Sequence, residues 1–332
     1  MRFRLIIAAA SAVFLFAAGS LLGGCGDEND SMGGSPRDAT LVLDFIPGPV
    51  HAGVYRAQEA GYYTDAGIDL RIIEPTSTAD TLRLIGAGRA DFGLADGIDV
   101  AGQIDAGRDI QGILAITQRP LGGLITLRSA RIESPAQLEG RRVGVTGVPS
   151  DDVVVKTIVD GAGGDPAAVE KVTIGFGGVQ SLAAGKVDAF TGFIATDAVQ
   201  VELNGEPTRS FPVDRFGGPA YPGLVAFSTR EMIAADPELA EDFVAATAHG
   251  YEDVIAEPLL GVDALLSINP EIPRDFATRS LQAHLPLFQA GAPRFGVFSE
   301  QRLRELSRFL VAEGLAAEPI TPQRYATNRF LP

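Results

Sequence analysis

The sequence predicts an α/β protein of two lobes, each a mostly parallel sheet flanked by helices, with a ligand cleft between them. Three observations predict it. Strand-like apolar runs alternate with segments of helical spacing, in the βαβαβ order that builds parallel sheets through right-handed crossovers. One such unit is echoed later: Gly86 to Gly93 (GAGRADFG) has a counterpart in Ala183 to Gly192 (AAGKVDAFTG). Each pairs the end of a helix with the start of a strand whose far end would face the cleft. Finally, 332 residues are enough for two lobes of ordinary domain size.

The chain opens with Arg2 and Arg4 ahead of an apolar run, Leu5 to Ala18, too short to span a bilayer comfortably. Leu22-Gly23-Gly24-Cys25 reads as a lipobox. Cys25 is the only cysteine, which excludes an intrachain disulfide and leaves it to carry a lipid. Residues 1–24 are therefore read as a lipoprotein signal peptide. Residues 25–38, rich in Gly, Ser, Asp and Asn, are read as a flexible tether. No later stretch approaches a transmembrane length, so the expected location is the outer face of the cell membrane, held by lipid. The net charge is −15, or −17 once Arg2 and Arg4 are lost with the leader. That excludes a nucleic-acid partner, which needs a basic footprint, and mildly disfavours an anionic solute.

The stretch Leu41 to Tyr63 (LVLDFIPGPVHAGVYRAQEAGYY) organises the rest. Leu41 to Leu43 reads as a buried strand, the Pro47-Gly48-Pro49 turn breaks it, and a helix restarts near Val50 or His51 and stops at Gly61. Strand, turn and helix in that order put the turn at the carboxyl end of a sheet strand, where open α/β sheets hold ligands. Asp44, Phe45 and His51 are the residues this exposes. A lone histidine is as often a packing or capping residue as a pocket residue.

Ile68 to Ile73 alternates as a second strand, Ala79 to Ala87 follows as a helix, and Ala90 to Ala95 as a third strand ending at Asp96. Asp96 could cap the helix Ile98 to Ala106 or face the pocket. Ile110 to Thr117 and Leu124 to Leu127 read as further strands, with Gln118 between them. A second lobe begins near Ser134-Pro135. There Arg142 to Val145 is a strand and Val153 to Asp160 a helix, and the turn between them presents Ser150 and Asp151 as a polar cradle or as helix caps. Val169 to Ile174 and Val187 to Thr191 are strands, and Phe193 and Asp197 follow the latter. Pro207 to Pro222 reads as a Pro/Gly-rich connection containing Tyr221, and Leu224 to Ser228 as a strand. The segments from Leu239 onward are mainly helical and are expected to pack on the first lobe. The lobes are thus 39–128 with 225–332, and 129–224. The chain is expected to cross between them near Leu127 to Arg131 and near Tyr221 to Phe227.

The opening D-F-x-P-x-x-x-H-x-G-x-Y with A-x-E-A-G-Y-Y, the G-x-P-S-D at Gly147 to Asp151, and the terminal T-N-x-F-L-P resemble bacterial solute-binding proteins for thiamine pyrimidine precursors. The related fungal pyrimidine synthases are also similar. The resemblance runs from about Leu41 to Pro332. It implies the two-lobed periplasmic-binding-protein fold (type 2) and a monomer that delivers a small solute to the permease and ATPase subunits of an ABC importer. It places Phe45 on a ring-stacking wall and His51 in the pocket, Asp44 at the mouth of the first strand, Gln118 on a family Gln-x-Pro, Asp197 where a glutamate is usual, and Tyr221 in the segment returning to the first lobe. Phe193 or Tyr221 would complete a sandwich with Phe45. Asp44, Asp96 and Asp197 would accept hydrogen bonds from ligand N–H groups.

The chain departs from that pattern. It has no tryptophan, and Gly48 and Val50 replace asparagines, so riboflavin or an alkylsulfonate stands as an alternative solute. The fungal enzymes use a cysteine-rich segment, whereas nothing after Gly192 is a cysteine. No nucleophile elbow is present. His51, His249 and His284 lack metal-ligand spacing. The expectation is a binding protein with no cofactor and no metal, which needs only convergent polar groups and an apolar or aromatic wall.

Overall fold

The computed structural model describes residues 35–332. The signal segment, Cys25 and residues 25–34 of the tether lie outside the described residues. The described chain forms ten strands: β1 (Arg37–Val42), β2 (Ile68–Ile73), β3 (Phe92–Asp96), β4 (Ile110–Ala115), β5 (Gly122–Leu127), β6 (Arg142–Val145), β7 (Glu170–Thr173), β8 (Ala189–Phe193), β9 (Thr208–Pro212) and β10 (Leu224–Thr229). β1 begins at Arg37, inside the segment read as tether, and pairs in parallel with β2.

The strands build two five-stranded sheets, ordered β2-β1-β3-β10-β4 and β7-β6-β8-β5-β9. The two orders are the same device. Three parallel strands stand in the order second, first, third. An antiparallel strand follows that has just crossed from the other lobe, and a fourth strand closes the edge. The sequence echo between Gly86–Gly93 and Ala183–Gly192 marks the approach to the third strand of each sheet.

One crossing differs from expectation. β5 lies in the second sheet, between β8 and β9, so the chain leaves the first lobe at 116–121 and not near Leu127 to Arg131. A short run buried on both faces reads alike whichever sheet receives it, and Leu124 and Ile125 carry no mark of their destination. The return crossing is 213–223, and β9 occupies part of the segment read as a loop. Pro207 precedes it and Pro212 ends it, which suits the edge position it takes.

Burial explains the rest. β4 is buried along its whole length although it ends its sheet, because the carboxyl-terminal segment covers its edge through bridges from Gly112 to Ala326 and from Ala115 to Gly296. In the first lobe Phe92 stacks on Phe243, with ring centroids 3.8 Å apart. The helix Ala52–Glu59 lies against the helix Pro237–Ala256 at a glycine contact: a Cβ on Gly250 would come within 2.1 Å of the Gly53 carbonyl, and one on Gly53 within 2.2 Å of the Tyr251 ring. Tyr251 also donates to the Val50 carbonyl at 2.8 Å. The turn that carries His51 is thereby fixed to the longest helix of the lobe. The late helices pack on the first lobe as expected.

Candidate ligand site

A cavity of about 730 Å³ opens between the two sheets, within the size range of small-molecule sites. Its walls come from the segments that follow the carboxyl ends of β1, β3, β6, β7 and β8, with Gly122 and Gly123 of β5 at its floor and the start of the helix Arg274–Gln289 along one side.

From the first lobe, Asp44 and His51 form a buried pair, with Nε2 and Oδ1 2.8 Å apart. The Gly48 N–H donates to Nδ1 at 3.1 Å, so the ring proton resides on Nε2 and is donated to Asp44. Asp96 both caps and lines: its Oδ1 accepts the Ile98 N–H at 2.8 Å at the start of the helix Gly97–Asp105, and the residue faces the cavity. Asp99, one turn on, is 5% exposed, with Oδ2 receiving the Ser150 hydroxyl at 3.0 Å and Oδ1 without a partner. That bond joins the lobes, since Ser150 begins the helix Pro149–Gly161.

From the second lobe, Asp151 is fully engaged. Thr146 donates to its Oδ2 at 2.7 Å, the Gly147 N–H at 2.8 Å and the Val148 N–H at 3.2 Å, while Thr191 donates to Oδ1 at 2.6 Å. Its role is to lock the loop after β6 onto β8. After β8 the chain turns through a π-helix, Ile194–Ala198, a wide turn that recurs at functional sites. It brings Asp197 back so that Oδ2 accepts the Phe193 N–H at 2.8 Å. Phe45 meets a ring from the other lobe, Phe176, with centroids 4.1 Å apart and planes tilted by 58°.

The lining holds Asp44, Asp96, Asp99, Asp151 and Asp197, together with Glu74, Glu271 and Asp275; among its described residues none is Lys or Arg. Withdrawal from water with no cation nearby penalises the ionised carboxylates. Burial, then the neighbouring Asp99, pushes Asp96 well above the usual range. Burial raises Asp99 to about 6 against the Ser150 hydrogen bond, and raises Asp197 to about 7 against the Phe193 N–H.

Of the residues expected at the site, Asp44, Phe45, His51, Asp96, Ser150, Asp151, Phe193 and Asp197 all line this cavity. Gln118 and Tyr221 do not. Gln118 is buried in the first crossing, donating to the Val297 carbonyl at 2.8 Å and accepting from Arg302 at 3.2 Å. Tyr221 is buried in the second crossing, 1% exposed. The ring opposite Phe45 is Phe176, which the sequence reading passed over within Gly175-Phe176-Gly177-Gly178. The available signal was its position just beyond the carboxyl end of β7. Asp99 lies inside the stretch that the sequence marks simply as the helix Ile98 to Ala106.

The family profile described as NMT1/THI5 like matches residues 48–259. The formylaminopyrimidine-binding protein of Halalkalibacterium halodurans is 27% identical over 289 residues, spanning 85% of this chain and 87% of that protein. The 4-amino-5-hydroxymethyl-2-methylpyrimidine phosphate synthase of Legionella pneumophila is 27% identical over 296 residues, spanning 88% and 92%. The alkanesulfonate-binding protein of Xanthomonas axonopodis pv. citri, solved with MOPS bound, superimposes with a TM-score of 0.70 at 14% identity, covering 89% of this chain and 99% of that one. The fold is that of the periplasmic binding proteins.

Proposed function

This chain belongs to the NMT1/THI5-like family, and from that premise we propose that it is the solute-binding component of an ABC importer, taking a flat N-heterocycle of the aminopyrimidine type into the cleft. One observation carries the choice of solute: the cavity pairs aromatic rings, Phe45 and Phe176, with a ring of carboxyl groups and no lining cation. An aminopyrimidine offers a π-face to the rings and N–H donors to the acids. A sulfonate would meet acids where it needs cations, although the binder of a sulfonate shares the fold, because fold does not fix function. Riboflavin remains as a larger flat alternative that the cavity volume admits.

Binding without catalysis is the reading the residues support. The fungal-type synthesis draws on a cysteine-rich segment, and the only cysteine here is Cys25, at the lipobox. Lipid attachment at Cys25 would hold the protein at the membrane beside its permease, with the acidic segment that follows as a tether. No helix among the described residues is long and apolar enough to cross a membrane.

A thermal-shift series on the purified protein with aminopyrimidines, riboflavin and alkylsulfonates tests the reading. A solute at 100 times its dissociation constant adds about 2.7 kcal/mol of stability. A shift with the aminopyrimidines supports the proposal. A shift with sulfonates alone overturns it.

A further inference from the structure

The geometry points to a solute that carries a positive charge: an aminopyrimidine with a protonated amine on its side arm, whose ammonium group sits at Asp99 between the two lobes. This inference rests on the reading of the cleft as an aminopyrimidine site and narrows it to one charge state.

Two independent observations support it. Asp96, Asp99, Asp151 and Asp197 all line a cavity to which no lysine or arginine among the described residues contributes. Acidic groups collected in a low-dielectric site repel one another unless a cation or protons neutralise them. The second observation concerns a single atom. Asp99 is 95% buried by its 5% exposure, and its Oδ1 has no hydrogen-bond partner. Its other oxygen is taken by Ser150 of the opposite lobe at 3.0 Å. Buried polar atoms in folded proteins are nearly always paired, so an unpaired, fully buried oxygen on a residue that lines the cavity marks where a donor is missing. Asp151 shows the contrast, since both of its oxygens are satisfied by four donors of its own lobe.

A neutral hydroxyl or formamide could donate one hydrogen bond to Asp99. An ammonium donates up to three and also neutralises the surrounding acids, and charge-assisted bonds of this kind are about twice as strong as neutral ones. Because Asp99 belongs to the first lobe and its Ser150 partner to the second, the ammonium would sit at the seam where closure is read.

Isothermal titration near neutral pH tests this on the unmodified protein with three ligands that share one ring: 4-amino-2-methylpyrimidine bearing aminomethyl, hydroxymethyl or formylaminomethyl at position 5. The first is cationic and the other two are neutral. The aminomethyl compound is expected to bind about tenfold tighter or better than either neutral one. Equal or tighter binding of a neutral compound overturns the inference and leaves the aminopyrimidine site standing. Binding of none of the three overturns both. Asp99→Asn supplies a second readout that does not depend on absolute affinity. It is expected to weaken the aminomethyl ligand at least about fivefold more than the hydroxymethyl ligand, and equal weakening of the two counts against the inference.

Discussion

Asp44 accepts a hydrogen bond from Nε2 of His51 at 2.8 Å, and the two residues are 3% and 0% exposed. The pair is built by the chain's own local geometry. The 3₁₀ turn Pro49–His51 directs the imidazole back over its start, where the Gly48 N–H fixes the tautomer. The ring therefore holds Asp44 in place, and Asp44 keeps its second oxygen for the cavity.

His51→Ala removes the donor to a buried carboxyl group and strands the Gly48 N–H. The expected cost is about 1–3 kcal/mol of folding stability, read as a lower urea midpoint at unchanged slope. Aminopyrimidine affinity should fall in the same variant, because Asp44 loses its orientation. An unchanged midpoint would show that the pair does not hold the turn.

Phe45 and Phe176 come from different lobes, and their ring centroids lie 4.1 Å apart across the cleft. A flat solute that stacks on Phe45 must part them or slide between them. Phe176→Ala is expected to weaken aminopyrimidine binding by about 2- to 12-fold, the equivalent of 0.5–1.5 kcal/mol for an aromatic pair. Phe193→Ala, at the same cavity wall, separates ring stacking from mere loss of volume: equal effects in both variants would argue against a specific pairing with Phe176.

How far the sequence carried the site follows from one rule. Asp44, Phe45, Asp96, Ser150, Asp151, Phe193 and Asp197 each lie at the carboxyl end of a strand or just beyond it, a place that periodicity and turn residues reveal. Gln118 and Tyr221 failed because they lie in the crossings between lobes, where motif position says nothing about which way a side chain faces. Phe176 obeys the rule, yet its glycine neighbours made the loop look featureless. Asp99 obeys the rule too, three residues past the end of β3, but the contact that distinguishes it from an ordinary first-turn acid, the Ser150 hydroxyl, is supplied by the other lobe. The misplaced β5 has the same origin: which sheet receives a fully apolar strand is a long-range fact.

Asp197 makes the stability of the free protein depend on pH. Burial pushes it up to about 7, whereas an unfolded aspartate titrates near about 3.9. Between those values the folded chain keeps a proton that the unfolded chain has released, so this group lowers stability progressively as pH rises from about 4 to about 7. His284 acts in the opposite sense, because burial lowers it to about 4 and the folded state then holds fewer protons up to about pH 6.5. Comparing wild type with Asp197→Asn cancels the histidine. The variant is expected to show the smaller decline, or larger rise, of thermal midpoint across pH 4 to 7. Parallel curves would place Asp197 in contact with water and remove the basis for its shift.

The two crossings that join the lobes lie side by side, and Gly223 is where they meet. A Cβ at that position would come within 2.4 Å of the Arg119 carbonyl and 2.9 Å of the Leu121 N–H. Arg119 is itself tied to the other crossing, its Nε donating to Asp214 at 2.7 Å. The strands cannot separate to admit a methyl group without breaking that bond or the Leu224 N–H bond to Thr117 at 2.9 Å. Gly223→Ala is therefore expected to cost about 1–3 kcal/mol through overpacking, measured by urea unfolding. Solute binding reports the rest: hinge closure in two-lobed proteins is absorbed by the few residues that connect the lobes, and 116–121 and 213–223 are those connections here, so affinity is expected to fall in Gly223→Ala although the residue lies outside the cavity. A variant of wild-type stability and affinity would mean that the crossings are loose enough to yield, and that the pivot lies elsewhere.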